Sequence, residues 1–313
     1  MIFVARPKKV PVSLGGANSA GRKEFALAKA HFNANPTDKF NFAAYRRPDV
    51  KMALEIMFDA KCAYCEARFM ADSDGGVEHY RPKGRLVVEN HPGYWWLAAQ
   101  WQNLLATCQH CNEIRGQIIV TPGMSMEEAT RLHRETLVKP THGKGSQFPI
   151  RGKRRLPMSH ALNLEDALLI NPTTQDPKKH LYFPPDTGIS LAVPHKTLTG
   201  PDEYGLATIN VTALNRYQLV RERTVLLMDL RKHVLDLERS IDEAETAPDQ
   251  AAKDAATGRS TAALAAIEAY AAKGRRYSAV AYWLHQRLIE WMRAERDTGA
   301  QLPVPTLIDA GIL

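Results

Sequence analysis

The sequence predicts an α+β chain, mostly helical, organised around a small ββα-metal centre stapled by four cysteines. Three observations carry this expectation. All four cysteines fall in one stretch, as Cys62-x-x-Cys65 and Cys108-x-x-Cys111. Short strand-like runs at 77–80 and 104–107 lie between the pairs, and helix-forming residues follow the second pair. The last third carries two apolar stripes, Leu227-Leu230-Val234-Leu237-Ile241 and Tyr277-Val280-Leu284-Leu288-Trp291. Their three- and four-residue steps fall on one helix face.

Composition narrows the class. At 313 residues, with 44% hydrophobic and 24% charged content, the chain can bury a real core. No apolar run approaches the roughly 18 residues that cross a bilayer. The opening MIFVARPKKV has too short an apolar stretch for a signal peptide. The expectation is a cytoplasmic protein with no membrane association, in a compartment where paired cysteines more often hold metal than form disulfides. Net charge is +7, from 41 basic and 34 acidic residues. Spread evenly, that excess means only solubility, so its distribution decides what it does.

Taken in order, residues 1–60 read as a helical lead-in. Ser19 is placed to cap a helix over about 21–33, and Pro48 opens a second over about 48–59 with Met52, Leu54, Met57 and Phe58 on its buried side. This region carries no chemical signature and reads as packing or partner surface. Residues 61–122 form the metal-held core: a cysteine knuckle, a turn at Asp74-Gly75-Gly76, a strand with Glu78 and His79, a connector rich in Trp95, Trp96 and Trp101, a second strand, and a second knuckle opening a helix near Asn112. Residues 123–167 are basic and dotted with Gly, Pro and His, the composition of an exposed insertion. Residues 168–313 begin with β-like runs broken by Pro and Asp-Thr-Gly, suggesting a small hairpin up to about 193. They continue as a helical hairpin, since Pro248 and Gly258 fall between the two stripes, with the alanine-rich stretch 251–272 belonging to its second helix and Gly274 a candidate break.

Two C-x-x-C knuckles supply four thiolates for one tetrahedral Zn²⁺, a closed and therefore structural site. Its binding energy becomes folding energy in a centre too small to stabilise itself by burial. Two disulfides would meet the same count, but no cysteine falls outside the two pairs. The 42 residues between the knuckles disfavour a DNA-reading zinc finger. Between the knuckles, His79 offers a base that takes a proton near neutral pH. Glu78 and Asn112 offer oxygen ligands that suit Mg²⁺ or Mn²⁺ beside a phosphate. Adjacent strand residues point to opposite faces, so Glu78 and His79 share a pocket only where the strand bends or ends.

Those residues together resemble the HNH endonuclease family. The matching features are Cys62/Cys65, Glu78-His79 with Pro82, Asn103-Leu104, and Cys108/Cys111-Asn112 with Arg115-Gly116. The resemblance implies that His79 is the general base, that Glu78 and Asn112 hold the catalytic divalent ion, and that Asn103 orients the loop and the His79 backbone. Two positions depart from the family pattern: Glu78 stands where Asp is more common, and Arg115 where Lys is. Further along, EHYRPK, YWWLAAQWQNLLATCQHCN, LLINPTTQDPKKHLYF and TINVTALNRYQLVRER resemble the HNH proteins of Septu-type anti-phage systems. That likeness implies a nuclease acting on nucleic acid, DNA being the first expectation, beside an ATPase partner.

Basic residues supply candidate phosphate contacts: Arg81 and Lys83 beside His79, Arg115 after the second knuckle, and the run Arg151, Lys153, Arg154 and Arg155. The connector tryptophans could stack on bases or pack over the metal centre. Two rival readings remain from sequence alone. One is a non-catalytic zinc module that binds nucleic acid or bridges a protein partner. The other is a zinc interaction module of the ubiquitin-ligase kind, which needs none of Glu78, His79 or Asn112.

Overall fold

A computed structural model describes residues 1–69, 76–87 and 89–298. The turn expected at Asp74-Gly75 lies outside the described residues. The chain divides into two compact units, each assembled from separated segments. Residues 1–117, 138–181 and 194–214 form the first, and residues 118–137, 182–193 and 215 onward the second.

In the first unit, α1 (Ala20–Ala34) starts where the Ser19 side chain accepts a hydrogen bond from the Arg22 N–H, satisfying a donor that the helix cannot. Helix α2 (Pro48–Phe58) has Pro48 in its first turn, where a missing N–H costs nothing. It ends at Asp59 and Ala60, both at positive φ. Val50, Leu54, Met57 and Phe58 form its buried side. Met52, expected among them, is exposed, because the 50–54–57 spacing turns position 52 to the opposite face.

Strand β1 (Gly76–His79) pairs antiparallel with β2 (Leu104–Thr107), Gly76 opposite Thr107 and His79 opposite Leu104. The first strand ends at His79, one residue short of the expected limit. All four residues of β2 are buried, which fits its unbroken apolar start at Leu104-Leu105-Ala106. One helical turn, α3 (Gln109–Asn112), follows β2. A second small ladder joins β3 (Arg115–Gly116) to β4 (Thr141–His142). The connector tryptophans are core residues: Trp95 stacks on Phe32 at 4.8 Å and meets Trp96 edge-on at 5.8 Å, and Trp101 is buried. Helix α5 (Glu203–Val211) is capped by Asp202, which accepts from the Gly205 N–H.

The segment expected as an exposed insertion is not uniformly exposed. Residues 138–167 belong to the first unit and bury Lys144, Phe148 and Glu165. Gly143 and Gly145 take positive φ, and a Cβ at Gly143 would overlap the Glu113 carbonyl. Two glycines thus let this basic stretch run hard against the backbone after α3. The hairpin expected over 168–193 is reduced to the two-residue strands Leu181–Tyr182 and Val193–Pro194.

In the second unit, α4 (Met126–Glu135) is capped by Ser125, with Glu127 and Glu128 in its first turn and His133 and Arg134 in its last. Both charge placements complement the helix dipole. Its Ala129 packs with Val120, Ile189, Leu191, Tyr217 and Val220. The Tyr217 ring stacks on His133 at 4.4 Å, and its hydroxyl lies 3.0 Å from Thr130 Oγ1. The expected helical hairpin is a three-helix arrangement: α6 (Tyr217–Glu245), α7 (Gln250–Ala271) and α8 (Ser278–Thr298) pack on one another. The alanine-rich stretch forms α7 and is not joined to α8, because the chain breaks at Gly274 and at Tyr277, which has positive φ. Pro248 sits in the α6–α7 connection as expected, whereas Gly258 lies inside α7. Leu227, Leu230, Val234 and Leu237 form the buried stripe of α6, and Val280, Leu284, Leu288 and Trp291 that of α8.

Candidate active site

The two knuckles come together. The sulfurs of Cys62, Cys65, Cys108 and Cys111 all lie within 4.8 Å of one another and all four residues are buried. The Cys65 and Cys108 sulfurs are 3.7 Å apart. A disulfide needs about 2.05 Å, whereas thiolates about 2.3 Å from a tetrahedral zinc stand about 3.8 Å from each other. The first knuckle closes through the Glu66 N–H to the Cys62 carbonyl, with Glu66 at positive φ, and docks on β2 through the Ala63 N–H to the Ala106 carbonyl. The second closes through the Cys111 and Asn112 N–H groups to the Cys108 carbonyl. Burial pushes the Cys62 thiol up, and hydrogen bonds among the sulfurs push Cys111 up and Cys108 down. Four thiols in so small a space ionise together only around a cation. The donor set therefore fits zinc, which supplies that charge and accepts four sulfurs.

Beside this centre lies a cleft of about 920 Å³. Glu78, His79 and Asn112 all line it, together with Tyr45, Lys83 and Ser146. His79 is the last residue of β1, so the strict alternation of a strand does not bind the chain beyond it. Its Nε2 lies 2.9 Å from the Ala98 carbonyl oxygen. A carbonyl only accepts, so Nε2 carries the proton and Nδ1 is left as the acceptor. The Tyr45 ring packs edge-on against the imidazole at 4.5 Å. Burial, then the Lys83 ammonium, hold the His79 pKa down at about 3, against a raising effect from the Ala98 carbonyl.

The carboxylate of Glu78 is buried and makes an ion pair with Lys144. Burial raises its pKa, and the nearby Lys144 and Lys83 ammonium groups offset only part of that rise. Asn112 is half-buried, and its carboxamide takes no hydrogen bond among the described residues. The absence of a side chain at Gly76 leaves room there: a Cβ would sit 3.3 Å from Asn112 Nδ2. Glu78 and Asn112 thus bring two oxygen donors to one cleft, a partial ligand set that suits a hard divalent cation completed by water and substrate.

Asn103 does not line the cleft. Its Oδ1 accepts from the Arg81 N–H at 2.8 Å, and its Nδ2 donates to the Arg81 carbonyl at 3.0 Å and the Leu97 carbonyl at 3.3 Å. Its own carbonyl accepts from the Tyr80 N–H. One buried carboxamide thereby continues the β1–β2 ladder past the end of the strand and fixes the turn after His79.

Most of the predicted phosphate contacts are engaged elsewhere. Arg81 pairs with the fully buried Glu165, donates to the Leu162 carbonyl at 2.9 Å and lies over Phe148. Arg154 binds Glu89, the Tyr94 hydroxyl and the Phe148 carbonyl. Arg151 pairs with Asp166 and Glu203 on the surface, and Arg115 with Glu113. Arg155 is half-buried, its backbone N–H on Glu165, and Lys153 is exposed away from the cleft. Of these basic positions, Lys83 alone lines the cleft among the described residues. Sequence reasoning missed other parts of its wall. Phe32, Lys39, Phe40 and Tyr45 come from the lead-in, and Arg85 follows His79 by six residues. Lys144, by sequence a candidate nucleic-acid backbone contact upstream of the basic run, is instead fully buried, and the His-Gly-Lys-Gly run around it is a signal of close backbone approach.

No family model matches the chain, and no solved structure matches it. Known proteins do. The chain is 34% identical over 237 residues to the Septu protein PtuB of Bacillus mycoides (strain KBAB4), an alignment covering 74% of this chain and 68% of that protein. It is 36% identical over 75 residues to the Septu protein PtuB of Bacillus thuringiensis, covering 24% of this chain and 26% of that protein. No helix among the described residues is long and apolar enough to cross a membrane.

Proposed function

The chain belongs to the Septu PtuB family, and from that membership and the chemistry of the cleft we propose that it is the metal-dependent HNH endonuclease of an anti-phage defence system, acting on DNA beside an ATPase partner. The observation that carries this reading is the fixed tautomer of His79. Its Nε2–H is held on the Ala98 carbonyl, so Nδ1 is an acceptor in the cleft that Glu78 and Asn112 also line.

In this mechanism His79 Nδ1 takes a proton from the water that attacks phosphorus. The Ala98 carbonyl keeps the ring oriented and favours the imidazolium as it forms. A pKa near 3 belongs to the cleft without substrate. A phosphodiester brings negative charge next to the ring and moves that pKa towards the working range of a base. Lys83 faces the same cleft and pairs with the phosphate. Glu78 and Asn112 would hold a divalent ion, Mg²⁺ or Mn²⁺, which when bound would supply positive charge against the phosphate and the leaving 3′ oxygen. Asn103 acts through the backbone of the turn after His79 and does not touch substrate. The zinc-binding cysteines hold β1, β2 and α3 in register and take no part in the chemistry.

The test is plasmid cleavage by zinc-loaded protein, with and without Mg²⁺ or Mn²⁺ and with and without the ATPase partner. Replacing His79 by Ala is expected to lower cleavage by about 100-fold or more, with zinc content and circular dichroism unchanged. A wild-type protein that never cuts under these conditions, together with a His79→Ala variant that protects cells as well as wild type does, would favour the non-catalytic zinc module instead.

A further inference from the structure

The Glu78 carboxylate already has a cation from the protein itself. Lys144 is fully buried, and its Nζ pairs with Glu78 Oε1 while donating to the His79 carbonyl at 3.1 Å. Its placement is built into the backbone. The Lys144 N–H donates to the Cys111 carbonyl at 2.9 Å and the Gly145 N–H to the Asn112 carbonyl at 2.6 Å. The flanking glycines permit that approach, Gly143 at φ +134 and Gly145 at φ +49. The same turn that carries Asn112 therefore delivers an ammonium group to Glu78, from 66 positions further along the chain.

An ammonium and a divalent ion want the same thing from a carboxylate: its oxygen lone pairs. A buried carboxylate also needs a counterion whichever one is at hand. We propose that Lys144 is a resident counterion competing with the divalent ion for Glu78. It neutralises the carboxylate while no ion is bound, and it leaves Glu78 for the His79 carbonyl when one binds. This rests on the reading of Glu78 as a cation ligand. Lys144 on this account is a positioning residue that sets the ion concentration at which the site loads.

The test is calorimetric titration of zinc-loaded, full-length protein with Mn²⁺, comparing wild type, Lys144→Met and Glu78→Gln. Removing a competing unit charge a few ångströms away is expected to tighten Mn²⁺ binding in Lys144→Met by at least about tenfold, while Glu78→Gln binds weakly. The thermal midpoint of Lys144→Met should fall without Mn²⁺ and recover with it by more than the wild type gains, since the ion replaces the lost counterion. Equal or weaker Mn²⁺ binding by Lys144→Met, with Glu78→Gln still impaired, overturns the competition and leaves the ligand reading standing. Unchanged binding by Glu78→Gln overturns both. Should Lys144→Met fail to fold, the wild type decides. Reductive methylation of Lys144, read by peptide mass spectrometry, is expected to speed up several-fold with saturating Mg²⁺. A rate unaffected by Mg²⁺ overturns the proposal.

Discussion

Asn103 and His91 are buried polar residues whose every visible bond is spent on backbone, and each makes a measurable claim. Asn103 accepts from one N–H and donates to two carbonyls. Replacing it by Ala leaves those buried backbone groups unpaired, at a cost of about 2–3 kcal/mol, to be read as a lowered urea midpoint at unchanged slope. His91 lies 3.0 Å through Nε2 from the Arg155 carbonyl, and its Nδ1 accepts from the Gly93 N–H at 3.1 Å. Burial, first among its causes, lowers its pKa from the usual 6.5. The unfolded chain then binds the proton more readily than the folded one, so the His91 contribution is complete above about pH 6.5 and is lost as pH falls below it. Replacement of His91 by Gln should flatten the slope of stability against pH below about 6.5, measured by denaturant melts at several pH values. At this scale the sequence was informative about placement where it is local: Glu78, His79 and Asn112 lie in one short motif and line one cleft, and Asn103 holds the turn after His79. Arg81 and Lys144 were read as candidate phosphate contacts because their partners are distant: Lys144 reaches the His79 carbonyl 65 residues away, and Arg81 reaches Glu165 across 84.

Elements were legible in proportion to how far local chemistry decides them. Ser19 and Pro48 mark helix starts by capping rules alone, and β2 falls on the expected 104–107. Gly274 marks the break between the alanine-rich stretch and the last helix, and α7 and α8 part there; the exact ends were not legible, because alanine-rich sequence is helical wherever the chain lets it be. The knuckles are the element with the sharpest prediction. Cys111→Ser, or zinc removal by a strong chelator, should lower the thermal midpoint by well over 10 °C, given binding free energies of roughly 10 kcal/mol for structural zinc. Zinc content by mass spectrometry and a thermal melt check it together. A second prediction concerns the glycine before Lys144. In Gly143→Ala the new Cβ meets the Glu113 carbonyl at a strained φ. The expected cost is roughly 3 kcal/mol, with Lys144 withdrawn from Glu78.

For the whole molecule, the division into units is the property least visible in sequence. Four consecutive segments were expected, at 1–60, 61–122, 123–167 and 168–313. The compact units instead draw on interleaved stretches, and no composition shift marks the crossings. The core of the second unit illustrates the point: Val120, Ile189 and Tyr217 meet although they belong to three separate segments. Tyr217→Ala should cost about 3–5 kcal/mol, read as a lower denaturant midpoint. Bound zinc per chain should stay the same in the folded protein, because the cysteines belong to the first unit.

The interleaving also sets an order of events during translation. By the time Cys111 leaves the ribosome, both cysteine pairs and the residues of β1 and β2 are available, yet the unit that contains them takes its last segment from residues 194–214. At about 5–20 residues per second, on the order of 10 s separates the two. During that interval the nascent chain has the four thiols and His79 without their finished surroundings. Early capture of zinc by the emerging thiolates would keep this half-built centre from oxidation and mispairing while the remaining chain is made.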